Sequence, residues 1–218
     1  MVYLKLLPKI WLKPREAFEE LKGNTNAEDG VITLIIYSLI ALVLFAVFAQ
    51  QYKTDLMLVQ FGFGSFLSLK SVLIYFPETF FGIIIVAYFA NWAAKKFGGN
   101  GNFQETLSFY CYGNSLAIVQ AIASVGIIFW MNAEVNKIIA GLNQGVVLDA
   151  GYIAQILPLA VILGSILGLW ALYIQTEGIS VAHNLTRLKG FGALMFGSIV
   201  SGIILFAINS YIFAPYLT

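Results

Sequence analysis

Five long apolar stretches constrain what this chain can fold into more than any other feature. They run over about 31–49, 72–94, 106–131, 152–176 and 191–213. Each approaches or exceeds the roughly 20 residues that an α-helix needs to cross a hydrocarbon core of about 30 Å. The rest of the chain cannot shield so much apolar surface from water. Hydrophobic residues make up 60% of the 218 and charged residues 11%, against roughly a half and a quarter in a soluble domain. The expected fold is therefore an all-α integral membrane protein. A bundle of five transmembrane helices over 31–218 follows an N-terminal segment over 1–30, with short amphipathic surface helices.

The charges fix an orientation. Nine of the twelve Lys and Arg residues fall on one side of the expected spans. They are the five of the N-terminal segment, Lys95 and Lys96 after the second span, and Arg187 and Lys189 after the fourth. Lys53, Lys70 and Lys137 fall on the other side. Cytoplasmic loops carry the excess of basic residues, so the N-terminus is expected in the cytoplasm and the C-terminus outside. Within the first segment, Pro14 opens a run with Glu16, Glu19 and Glu20 in its first turns, Ala17, Phe18 and Leu21 on one face, and Gly23 at its end. That pattern predicts an amphipathic helix over 14–22, either lying on the membrane surface or packed on the loops. The outer segment from Gln51 to Lys70 is apolar but too short to span, and reads as interfacial or re-entrant.

Little in the sequence carries chemistry. A single cysteine, Cys111, and a single histidine, His183, leave no cysteine cluster and no nucleophilic triad. The formal net charge of +1 gives no field to attract nucleic acid. The stretch Lys95-Lys96-Phe97-Gly98-Gly99-Asn100-Gly101-Asn102-Phe103-Gln104-Glu105 has its lysines before its glycines, the reverse of a nucleotide-binding loop. It reads as a hairpin turn. Gly98 or Gly99 stops the second helix in a left-handed cap. Asn102 and Glu105 start the third as a capping box, and the two lysines face anionic headgroups. No cofactor is expected.

Glu78 is the one ionisable residue well inside an apolar run. It is a candidate intramembrane acid, or a charge at the outer interface if Pro77 begins the helix. Pro158 predicts a kink in the fourth span. Gly164 and Gly168 form a GxxxG there, and Ala193, Gly197 and Ser201 repeat a small residue every fourth position in the fifth. These stripes would let helices four and five pack closely, or serve dimerisation. In the last polar loop Val181, Leu185 and Leu188 share a helical face, predicting a short surface helix capped by Gly190, with His183 solvated or hydrogen-bonded.

Three stretches carry a family likeness: Trp11 to Leu21; Phe97 to Leu107 followed by Tyr112-Gly113; and Leu169-Trp170 through Gly178-Ile179-Ser180 to Gly190. On these the chain resembles the Ypt-interacting protein (Yip) domain family, five-span membrane proteins with a cytoplasmic N-terminus. The compact N-terminus is similar to that of prokaryotic members, which implies a prokaryotic cell membrane. The proline that often follows the central stretch is replaced by Asn114-Ser115-Leu116, which argues against the break in the third helix that the resemblance implies. Eukaryotic members act in vesicle trafficking and contact Rab-type GTPases, a role not carried over to so short a chain. The family pattern holds no catalytic residues to transfer.

Two functions follow as expectations. The first is a non-enzymatic membrane protein that organises the bilayer, partner membrane proteins or copies of itself through its cytoplasmic face. The second is a small-solute or ion transporter or channel using Glu78 and the polar residues of helices three to five.

Overall fold

Helix ends decide the architecture, because most of the described helices begin or end in a single polar layer. The structure, a computed structural model, describes residues 6–25, 27–51, 69–116, 118–120, 122–123, 126, 150–208 and 210. Within them lie seven α-helices: α1 (Leu7–Leu12), α2 (Pro14–Leu21), α3 (Ala27–Gln51), α4 (Leu69–Lys96), α5 (Phe103–Gly113), α6 (Ala150–His183) and α7 (Arg187–Ile208). No strand occurs among the described residues. The end of the bundle that carries α1, α2 and the turns after α4 and α6 is called the polar end below.

The part of α6 from Val161 to His183 and the whole of α7 are long and apolar enough to cross a membrane. Only 28% and 22% of their apolar windows are buried, whereas a core helix of a soluble protein would be mostly buried. Ile166, Leu169, Ile199, Ile203 and Phe206 all face outward, presenting the continuous apolar surface that lipid covers.

At the polar end α5 is the central post. Every residue from Thr106 to Gly113 is buried, which explains why that stretch shows no amphipathic period. On one side it packs with α3, α4 and α6 in a cluster that holds Leu34, Val86, Ala90, Leu107 and Ile179, and that α7 joins through Leu194 by packing on α4 and α6. On the other, Phe109 and Tyr112 meet Ile10, Phe18 and Leu21 of the N-terminal helices and Ile174 of α6.

Several expectations need correction here. The third helix does not run unbroken. Its α-helix stops at Gly113 and gives way to a 3-10 turn over Asn114–Leu116. The Asn114 side chain donates to Tyr110 O at 2.8 Å and accepts from Gln175 Nε2 at 3.1 Å, so it competes with the backbone ladder as amide side chains do. The surface helix expected over the last polar loop is not a separate element. α6 carries on to His183, and α7 opens at Arg187 and runs through Gly190, which is buried against Ser180. α4 begins eight residues before Pro77 and α6 continues through Pro158; proline is tolerated within helices of this kind where neighbouring groups satisfy the freed carbonyl. The apolar segment between Gln51 and Lys70 lies almost wholly outside the described residues, as does the far end of the third span.

Candidate functional site

The polar end is assembled from three left-handed turns. Gly98 has φ +90°; Gly98 N–H donates to Lys95 O at 3.1 Å and Gly99 N–H to Ala94 O at 2.9 Å. That is the paired pattern of a Schellman cap, and of the two glycines proposed from sequence it assigns the left-handed position to Gly98. Asn184 repeats it at the end of α6, with φ 55°, Asn184 N–H on Val181 O at 3.3 Å and Leu185 N–H on Ser180 O at 2.8 Å. Asparagine tolerates this region better than other side chains. Gly23, φ +78°, turns the chain out of α2.

These turns are bonded to one another. Asn100 N–H donates to His183 O at 3.2 Å, Asn184 Nδ2 to Asn100 Oδ1 at 2.7 Å, and Lys189 Nζ to Phe97 O at 3.0 Å. Gly101 lies so close to α6 that a Cβ there would stand 2.2 Å from Ala182 O. Asn102 caps α5 by accepting from Glu105 N–H at 2.9 Å. The Glu105 carboxylate reaches across to Gly23 N–H at 3.2 Å, tying the start of α5 to the end of α2.

Two buried polar groups lie under this surface. His183 is fully buried, with Nε2 2.8 Å from Thr106 Oγ1. Thr106 Oγ1 also lies 2.8 Å from Asn102 O and 3.5 Å from Asn91 Oδ1, so the hydroxyl ties the ring to the N-cap of α5 and to α4. His183 lies seven residues beyond the expected end of the fourth span, in the charged layer. Burial, with Lys95 and Lys22 nearby, lowers its pKa from 6.5 to about 4, so the ring is neutral near pH 7.

Glu177 is the second, also fully buried. Its carboxylate takes Arg15 Nη1 of α2 on Oε2 at 3.3 Å and Arg187 Nε of α7 on Oε1. A buried carboxylate is costly unless paired and hydrogen-bonded. Here both oxygens meet guanidinium groups, and one side chain joins three helices.

Helix α2 is part of this layer. Ala17 and Phe18 are fully buried and Leu21 is 2% exposed, with the Phe18 ring 4.9 Å from that of Phe109. Lying on lipid would remove the same face from water, so the hydrophobic term of about 1.5–3 kcal/mol per large side chain does not discriminate between the two placements. The polar contacts do. Arg15 to Glu177, Gly23 to Glu105 and Lys22 Nζ to Asn184 Oδ1 at 2.6 Å exist only when α2 is docked. Of the two placements open from sequence, α2 takes the packed one.

The residues singled out from sequence fall in three places. Lys95 and Lys96 end α4 and are exposed, with Lys96 Nζ 5.6 Å from the centroid of the Trp92 ring. Gly197 and Ser201 face α4, where a Cβ on Gly197 would stand 2.6 Å from Val86 O and Ser201 Oγ donates to Gly82 O at 3.3 Å. Their neighbour is thus the second expected span, not the fourth. Gly164 and Gly168 are exposed, and nothing among the described residues lies within 4 Å of a Cβ built on either. Glu78 lies on α4, 18 residues before Lys96, about 27 Å away along a helix axis. The backbone at Glu78 is therefore remote from the polar layer.

Glu177, Arg15, Arg187, Thr106 and the buried state of His183 were not foreseen. One signal was available: Glu177 follows the 25 uncharged residues of the fourth stretch, and an acid in that position calls for a cation.

A family model, the Yip1 domain, matches residues 9–209. No curated protein and no solved structure matches the chain.

Proposed function

Because the chain belongs to the Yip1 domain family, a family of membrane proteins, we propose that it is a non-enzymatic five-span protein that organises partner membrane proteins through a cytoplasmic platform. The polar end is that platform, with the N-terminus in the cytoplasm and the C-terminus outside. The observation that carries this reading is the single hydrogen-bonded layer in which α2, the turn after α4, the start of α5 and the α6–α7 junction are tied by Glu177, Asn100, Asn184 and Glu105. The groups that would serve catalysis are engaged in structure. The histidine is buried and hydrogen-bonded beneath the turn, and the buried carboxylate lies between two arginines.

A transport role would require Glu78 at membrane depth. About 27 Å from Lys96 on a core of about 30 Å, its backbone falls near the opposite headgroup level, which favours the interfacial role for this acid.

Two measurements test the proposal. In a Cys111→Ser background, cysteines placed at Lys96 and at Thr218 should react with impermeant thiol reagents only from the cytoplasm and only from outside, respectively; the reverse pattern overturns the topology. In native membranes, Lys95→Ala with Lys96→Ala should abolish the cross-linked complexes that the wild-type chain forms, and an unchanged set of complexes overturns the organising role. Solute flux in proteoliposomes that Glu78→Gln abolishes would support transport instead.

A further inference from the structure

The basic residues of the polar end differ in what they meet, and Lys22 is bonded to Val181 O and Asn184 Oδ1. Lys9, Lys13, Arg15 and Arg187 each meet a carboxylate: Glu20, Glu16, Glu19 and Glu177. Among the described residues, no carboxylate lies within ion-pair distance of Lys95, Lys96 or Lys189. These three gather where α4 ends and α7 begins. Lys189 stands in the first turn of α7, a turn that holds no acid, so its charge adds to the positive end of the helix dipole rather than offsetting it. The Lys189 ammonium is bonded to the carbonyl of Phe97, the residue that follows Lys96.

Below these cations sits an aromatic shelf shared by the same two helices. The Trp92 and Phe196 rings stack at 5.4 Å between centroids and 27° between planes. Trp92 is one turn from Lys96 on α4 and lies under its ammonium; Phe196 is two turns from Lys189 on α7. Trp92 is 48% exposed and Phe196 38%, and farther along the same helices Tyr88, Ile199 and Ile203 are exposed as well. The order along the corner is therefore uncompensated ammonium groups, an exposed tryptophan, then an open apolar strip. Tryptophan favours the headgroup level, lysines there attract anionic lipid, and the strip offers acyl chains an apolar surface.

We propose that this α4–α7 corner binds one anionic phospholipid, with its phosphate between Lys96 and Lys189 and its glycerol and upper acyl chain over Trp92 and Phe196. The site rests on the reading that the polar end lies at a headgroup level, and it is independent of any protein partner.

Native mass spectrometry of the purified full chain, given phosphatidylglycerol and phosphatidylcholine in equal amounts, tests it. The wild-type chain should retain phosphatidylglycerol preferentially. Lys96→Ala with Lys189→Ala should lower that preference roughly thirtyfold, and Lys96→Gln alone, an exposed change, about fivefold. Lys9→Ala with Lys13→Ala should leave it unchanged, because those cations are already paired. Equal retention of the two lipids by the wild type, a preference that survives loss of Lys96 and Lys189, or displacement of the lipid by inorganic phosphate would each overturn the site. Thiol labelling that still places Lys96 at the cytoplasmic surface would confine such a failure to the lipid site, and leave the topology standing.

Discussion

His183 shows what a single residue contributes at the polar end. Its neutral ring fills the space beneath the glycine turn, bonded to Thr106 and flanked by Lys22 and Lys95. Because its pKa is lowered on folding, the unfolded chain binds the proton more readily. Stability from this group is complete above the ordinary histidine value of 6.5 and is lost as pH falls toward about 4. The Tm of the purified chain in detergent should accordingly drop between those values, and His183→Asn should flatten that part of the profile. A profile equally steep in both chains would show that another group titrates there. The role of His183 was not legible in the sequence, because Thr106 lies 77 positions away and no local spacing connects the two. Gly98 and Asn102 were legible, since a left-handed cap and an N-cap are decided within a few residues.

At the scale of elements, the small-residue stripes of α6 and α7 look alike in sequence and behave differently. Gly197 lies against the backbone of α4, while Gly164 faces open space among the described residues. Gly197→Val should therefore destabilise the bundle by about 1–3 kcal/mol through overpacking, whereas Gly164→Val should change the Tm little. Equal losses would mean that a second copy or an undescribed segment covers the α6 stripe. Spacing alone could not distinguish the stripes, because it records which residues share a face and not which face meets a neighbour. The same limit applies to α5, whose even burial erased the period that a half-exposed helix would have displayed. It applies again to α2, whose amphipathic pattern suits lipid or a protein surface equally well. Where sequence rules failed at helix boundaries, long-range contacts had intervened: Asn114 breaks the third helix with a side-chain bond to Tyr110 and a second to Gln175 on α6.

For the molecule as a whole, apolar runs and charge counting identified a helical membrane protein, and the Yip1 domain match over 9–209 places the chain in its family. What local patterns could not supply is the joining of the polar end into one body, because its ties span 82 to 162 positions of sequence. Glu177 is the residue on which that claim rests most heavily. Hydrogen–deuterium exchange of the chain in nanodiscs, wild type against Glu177→Ala, measures it directly. In the wild type, α2 and the 97–106 segment should be protected to similar degrees. Loss of the carboxylate should cost roughly 1.5–3 kcal/mol and raise exchange in α2 and at the α6–α7 junction together. Exchange of α2 at the rate of an undocked helix in the wild type, unaltered by Glu177→Ala, would contradict the account.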